Sequence, residues 1–241
     1  MTASILERHF VRGSSLVRSR ATAVIAAVAA LTTLTACDSG TRTATESYEA
    51  TETVTTLEVD SGGGDIEVAP AADGTLRITE TMRYTGDKPS PRHAVDGGTL
   101  TLESGCDDVS GNCGVNYRIE VPAAVAAQLS SGGGDVTLTA PIVALAARTD
   151  GGRLAADGVE ASAVRATTDG GAIRLRCTTV PGRVDLDSGG GAVTVQLPSG
   201  AYAVDASTDG GKASVRVVES SSSHHRVTVR SRGGNVTVEP A

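Results

Sequence analysis

From residue 54 onward, apolar and polar residues alternate in short runs, and the runs come in two kinds. One precedes a hydroxyl, as in Val184-Asp185-Leu186-Asp187-Ser188; the other follows a pair of glycines, as in Val193-Thr194-Val195. Side chains two apart on a strand share a face, so each run predicts a strand with one buried side. By the same parity the hydroxyl points inward with the apolar residues before it. This holds at Leu57/Val59/Ser61, Val164/Ala166/Thr168, Val204/Ala206/Thr208 and Val227/Val229/Ser231.

The two runs and the turn between them repeat. The pattern [Ser/Thr]-x-Gly-Gly-x-apolar-x-apolar starts at Ser61, Ser131, Thr149, Thr168, Ser188, Thr208 and Ser231, the last six starts lying 18, 19, 20, 20 and 23 residues apart. A period near twenty suits one coil of a parallel β-solenoid; propeller blades need about twice that length. The predicted fold is therefore all-β, a parallel β-solenoid over residues 54–241 with about 20 residues per coil. The paired glycines (Gly63, Gly64, Gly133, Gly134, Gly151, Gly152, Gly170, Gly171, Gly190, Gly191, Gly210, Gly211, Gly233 and Gly234) are read as its corners. Glycine enters left-handed backbone space without steric cost, which is the expected reason for them.

Between the first two copies the pattern loosens. Gly74–Ile78 and Gly98–Leu102 read as decayed coils, and Tyr84–Gly98 as an excursion from the solenoid. Long irregular segments on a regular scaffold are common binding surfaces.

A phosphate loop is excluded at Ser131-Gly-Gly-Gly-Asp-Val, because strand chemistry and not a helix follows the glycines. Calcium β-rolls repeat every nine residues, whereas here the period is doubled and the acid falls on either side of the glycines (Asp65, Asp135, then Asp150, Asp169, Asp209). Turn chemistry is the expectation, with no metal and no cofactor. His224-His225 would point to opposite faces of a strand and chelate poorly. No G-x-S-x-G, H-E-x-x-H or kinase signature occurs, and no catalytic residue is expected.

The N-terminus reads as targeting. Arg8, Arg12, Arg18 and Arg20 precede the apolar run Ala21–Leu34, which is short for a membrane span. Leu34-Thr35-Ala36-Cys37 resembles the lipobox of bacterial lipoproteins, which implies a signal peptide over 1–36 and a lipidated (palmitate-bearing) Cys37. Residues 37–53, polar and rich in Thr and Glu, read as a flexible tether. Without residues 1–36, 17 basic and 27 acidic residues remain, a net charge of −10. That charge, with 2% aromatic residues, speaks against nucleic acid and against direct docking on anionic lipid. Cys106 and Cys113 bracket an eight-residue polar segment, and an extracytoplasmic setting favours a disulfide between them. Cys177 continues the inward parity of Ile173 and Leu175 and reads as a buried, inert thiol.

Tyr117–Leu138, YRIEVPAAVAAQLSSGGGDVTL, combines an alternating strand, Val-Pro-Ala, an inward run and Ser-x-Gly-Gly-Asp-Val. With the later Thr-Asp-Gly-Gly copies it resembles the DUF4097 β-strand-repeat family, also called "putative adhesins". The resemblance spans about residues 54–241 and implies a coiled parallel β-solenoid at the bacterial surface. It implies no catalytic residues. The expected function is a non-catalytic binding or adhesion module, lipid-anchored on the extracytoplasmic face of the cell membrane, contacting a surface or envelope protein or glycan. The alternative is a spacer or envelope-sensing lipoprotein without a dedicated ligand.

Overall fold

The computed structural model describes residues 40–241; the expected signal peptide and Cys37 lie outside them. The described chain is all-β apart from one short 3-10 turn, Cys106–Asp108. It begins with β1 (Arg42–Ala50), β2 (Thr56–Asp60), β3 (Ile66–Pro70), β4 (Leu76–Tyr84), β5 (Arg92–Asp96), β6 (Thr99–Glu103) and β7 (Cys113–Val121). Regular pairs follow: β8 (Ala126–Ser131) with β9 (Val136–Leu138), β10 (Ala144–Thr149) with β11 (Leu154–Val159), and β12 (Ala163–Thr168) with β13 (Ile173–Cys177). Then come β14 (Arg183–Ser188) with β15 (Val193–Leu197), β16 (Ala201–Thr208) with β17 (Ala213–Val215), the short β18 (Val218–Glu219), and β19 (Arg226–Ser231) with β20 (Val236–Pro240).

The strands form two ten-stranded sheets. The first runs β1-β4-β7-β3-β9-β11-β13-β15-β20-β17, the second β18-β16-β19-β14-β12-β10-β8-β2-β6-β5. Each hydroxyl-bearing strand lies in the second sheet and its post-glycine partner in the first, so every corner crosses from one sheet to the other. Valine and leucine alternate inward along both, as in Val184 and Leu186 against Val193 and Val195, all at most 2% exposed. β-branched residues suit this pleated, half-buried surface. Small apolar side chains suit a narrow core, and Tyr117 and Tyr202 are its largest fully buried members.

The middle of the molecule is the expected parallel solenoid, and both ends depart from it. Coils do not stack in chain order: β6/β7 lies outside β2/β3, while β8/β9 lies on its other side. At the far end β19/β20 fills the space between β14/β15 and β16/β17. The N-terminal end is also antiparallel, in β1–β4, β4–β7 and β5–β6. Leu76–Ile78, expected to be a decayed coil, therefore opens a nine-residue antiparallel strand, whereas Thr99–Leu102 does pair in parallel with β2.

The tether is corrected too. Arg42–Ala50 pairs with β4 over nine positions. One face of this strand is solvated, and the other offers only Ala44, Tyr48 and Ala50 to the core, so its composition reads as polar. The excursion is likewise folded. It contains β5, and Gly86 packs so closely on the Ser110 carbonyl that no Cβ would fit between them.

Candidate functional site

The repeated hydroxyls and glycines form one continuous hydrogen-bonded column. Thr168 Oγ1 donates to the carbonyl of Gly152 on the neighbouring coil at 3.0 Å and accepts the N–H of Gly171 on its own coil at 3.0 Å. Ser131, Thr149, Ser188, Ser231 and Thr208 do the same with Gly64/Gly134, Gly134/Gly152, Gly171/Gly191, Gly191/Gly234 and Gly234/Gly211. Ser231 stands between Ser188 and Thr208, following the strand order. Ser61, at the start of the column, donates to Gly64 O of its own turn. Buried hydroxyls and corner amides satisfy each other here, as buried polar groups must.

Left-handed backbone is not why the paired glycines are there. Among the described residues, none of the fourteen has positive φ; the adjacent Gly62 does. The second glycine of each pair is required by contact. An added Cβ at Gly134, Gly152, Gly171, Gly191, Gly211 or Gly234 would overlap the backbone of the glycine stacked beneath it. The first glycine is freer, with open space at Gly133 and Gly151 and a nearest atom at 3.9 Å at Gly170.

The acids flanking the glycines also serve the stack. Asp65 Oδ1 accepts the Asp135 N–H at 2.8 Å, and Asp135 Oδ1 accepts that of Arg153 at 2.7 Å. Hydrogen bonds from the Arg153 guanidinium and amide hold the Asp135 carboxyl below its usual range. Asn116 and Asn235 play the same part for Asp65 and Lys212, a role the sequence reading missed. These acceptors reach the next coil's backbone rather than their own. Asp150 instead pairs with Arg148 at 2.7 Å. Among the described residues no group of three or more His, Cys, Asp or Glu side chains could hold a metal ion. His224 is exposed, while His225 Nδ1 lies 2.9 Å from the Pro181 carbonyl. Cys106 and Cys113 are joined in a disulfide, and Cys177 is buried, its thiol pushed up to about 11 by desolvation.

The outer face of the second sheet carries a concave surface that the sequence reading did not single out. Ala126, Ala144 and Ala163 lie in register on β8, β10 and β12, and Ala146 is the next outward residue of β10. Outward strand positions usually carry longer or branched side chains. Ala126, Ala144 and Ala163 floor a depression of ≈ 410 Å³, which adjoins one of ≈ 510 Å³ and shares Gln128, Ala146 and Arg165 with it. Glu58, Asp60 and Glu103 rim one end, and Arg148 and Arg165 the other. Gln128 Nε2 donates to Glu58 Oε1 at 3.1 Å. The period-two parity from Ser131, Thr149 and Thr168 would have placed these alanines outward, but alanine is too common in this chain to stand out.

A family model, Toastrack DUF4097, matches residues 48–239. The chain is similar to the crystal structure of a "putative cell adhesion protein" from Clostridium sporogenes, with a TM-score of 0.51 and 15% identity over 83% of this chain and 100% of that one. It is also matched, at a TM-score of 0.34 and 14% identity, by a "putative adhesin" from Bacteroides fragilis, covering 82% of this chain and 96% of that one. No curated protein matches.

Proposed function

The chain belongs to the Toastrack DUF4097 family, and we propose that it is a non-catalytic binding module, held on the extracytoplasmic side of the bacterial membrane by lipid on Cys37. Its contact face is the alanine-floored groove of the second sheet. That groove carries the reading: it is concave, has an apolar floor, and is rimmed by Glu58, Asp60 and Glu103 at one end and by Arg148, Arg165 and the Arg183–Asp185 pair at the other. Ion pairs along such a rim steer and orient a partner more than they add affinity. Tyrosine and tryptophan, on which sugars stack, are absent from its lining, so the partner is protein rather than glycan.

Two measurements test this. A photo-crosslinking residue in place of Ala146 should capture an envelope protein in cells, while the same residue at Thr194, outward on the first sheet, should not. Equal capture from both faces, or capture from Thr194 alone, refutes the groove. For the anchor, cells fed a palmitate analogue should label the protein through Cys37. Label and membrane retention persisting in Cys37→Ser would overturn the anchor and leave the groove untouched.

A further inference from the structure

Glu80 lies on β4 with its side chain between the sheets and 2% exposed. Tyr48 of β1 donates its hydroxyl to Glu80 Oε1 at 2.5 Å, and the Tyr48 ring stacks on His93 of β5 with centroids 4.3 Å apart. Across β4 from β1, Glu80 pairs in register with Tyr117 of β7, whose buried hydroxyl has no hydrogen-bond partner. The groups facing this pocket are thus two phenols, an imidazole and, from β1, Glu46, the in-register partner of Glu80. Among the described residues no ion pair involves Glu80. Lys88 is engaged by Glu46 at 2.7 Å, and Arg77 on the outer face of β4 by Glu49 and Asp73.

β1 covers this carboxyl from the edge of the first sheet. Its backbone ladder is with β4 alone, and apart from Tyr48 and Ala50 in the core and Arg42 over the Tyr84 ring, its side chains make polar contacts: Glu49 to Arg77, Glu46 to Lys88 and Ser47 to Thr79. We propose that Glu80 is a proton-operated latch, holding β1 on the fold when protonated and loosening it when ionised. A carboxylate in this pocket has one phenol donor and no cation, so charging it favours the state in which water enters, and water enters by displacing β1 and Tyr48.

Burial, then the Glu46 charge, push the Glu80 carboxyl from 4.5 to about 7, against the Tyr48 hydrogen bond, which lowers it. His93 is itself exposed, its ring partly desolvated against Tyr48; that desolvation lowers it, so it supplies little compensating charge as the pH rises. The docked state binds the proton more tightly than the open one. Its stabilisation is therefore full below about pH 4.5 and is lost as the pH rises through about 7. Because β1 follows the segment in which the anchor is proposed, the latch sits between membrane and fold; it does not depend on the groove.

The test is hydrogen exchange of the full chain in detergent over a pH series that includes pH 6 and pH 8, with times corrected for the intrinsic rate and Val193–Leu197 as internal reference. Protection of Arg42–Ala50 relative to that reference should fall about tenfold between the two. Glu80→Gln should remove the fall and keep β1 protected at both. Tyr48→Phe, which takes away the carboxylate's donor, should move the midpoint to higher pH and serves if the glutamine variant does not fold. Protection independent of pH in the wild type, a fall that survives Glu80→Gln, or a midpoint unmoved by Tyr48→Phe would each overturn the latch.

Discussion

Replacing Gly171 with alanine will lower the melting temperature of the full chain by about 10 °C or more, while alanine at Gly170 will leave it within about 2 °C of wild type. The two glycines are neighbours in the same corner and neither has positive φ. They differ in what lies beneath. A Cβ on Gly171 would overlap the carbonyl group of Gly152 and come within 2.9 Å of the Arg153 nitrogen. Both are backbone atoms held in the stack and cannot rotate away. Relief requires prising two coils apart at the point where Thr168 bonds both glycines, which costs about 3 kcal/mol or more, at or above the ordinary top of the range for overpacking because the clash is with fixed backbone. A Cβ on Gly170 meets nothing nearer than 3.9 Å, and alanine there also stiffens the unfolded chain, worth about 0.4–1 kcal/mol in the opposite direction. Equal losses at the two positions would show that conformation and not contact selects the glycines.

The same corner shows what a sequence pattern carries. Period-two alternation places Thr168 inward with Val164 and Ala166, and all three are buried, because the pleat leaves a strand residue only two faces to choose between. The repeat likewise marks where each coil turns. It does not mark which strand lies beside which. Ser231 comes after Thr208 in the chain but stacks before it, since a coil that skips one layer and a coil that fills it have the same local sequence. β1 escaped for a different reason: an edge strand with three small or aromatic inward residues has too little apolar contrast to stand out from a polar linker. The groove was hidden by composition, being defined by side chains that are short. Glu80 reads as one more polar residue in an irregular stretch until β1 and β7 close over it.

Removing the hydroxyl from the column is the second large perturbation. Thr168→Val should destabilise the protein by roughly 2–4 kcal/mol, and Thr168→Ser by about 1 kcal/mol or less. Valine keeps the shape and the β-branch, so packing is conserved and the loss is one of hydrogen bonds. Thr168 Oγ1 serves two partners at 3.0 Å each, the carbonyl of Gly152 and the amide of Gly171. With Thr168 2% exposed, water has no direct route to replace it, and two backbone groups on different coils lose their partner together. Serine restores both bonds and forfeits only a methyl group, and it already fills the equivalent positions at Ser131, Ser188 and Ser231. The effect should also be coupled to the corner glycine. Once Gly171→Ala has forced the coils apart, the Thr168 bonds are already broken, so the double variant will lose clearly less than the sum of the two single losses. Denaturant unfolding of the four proteins closes the cycle. Strict additivity, or a valine variant as stable as the serine one, would mean that the column is a consequence of the stack and contributes nothing to holding it.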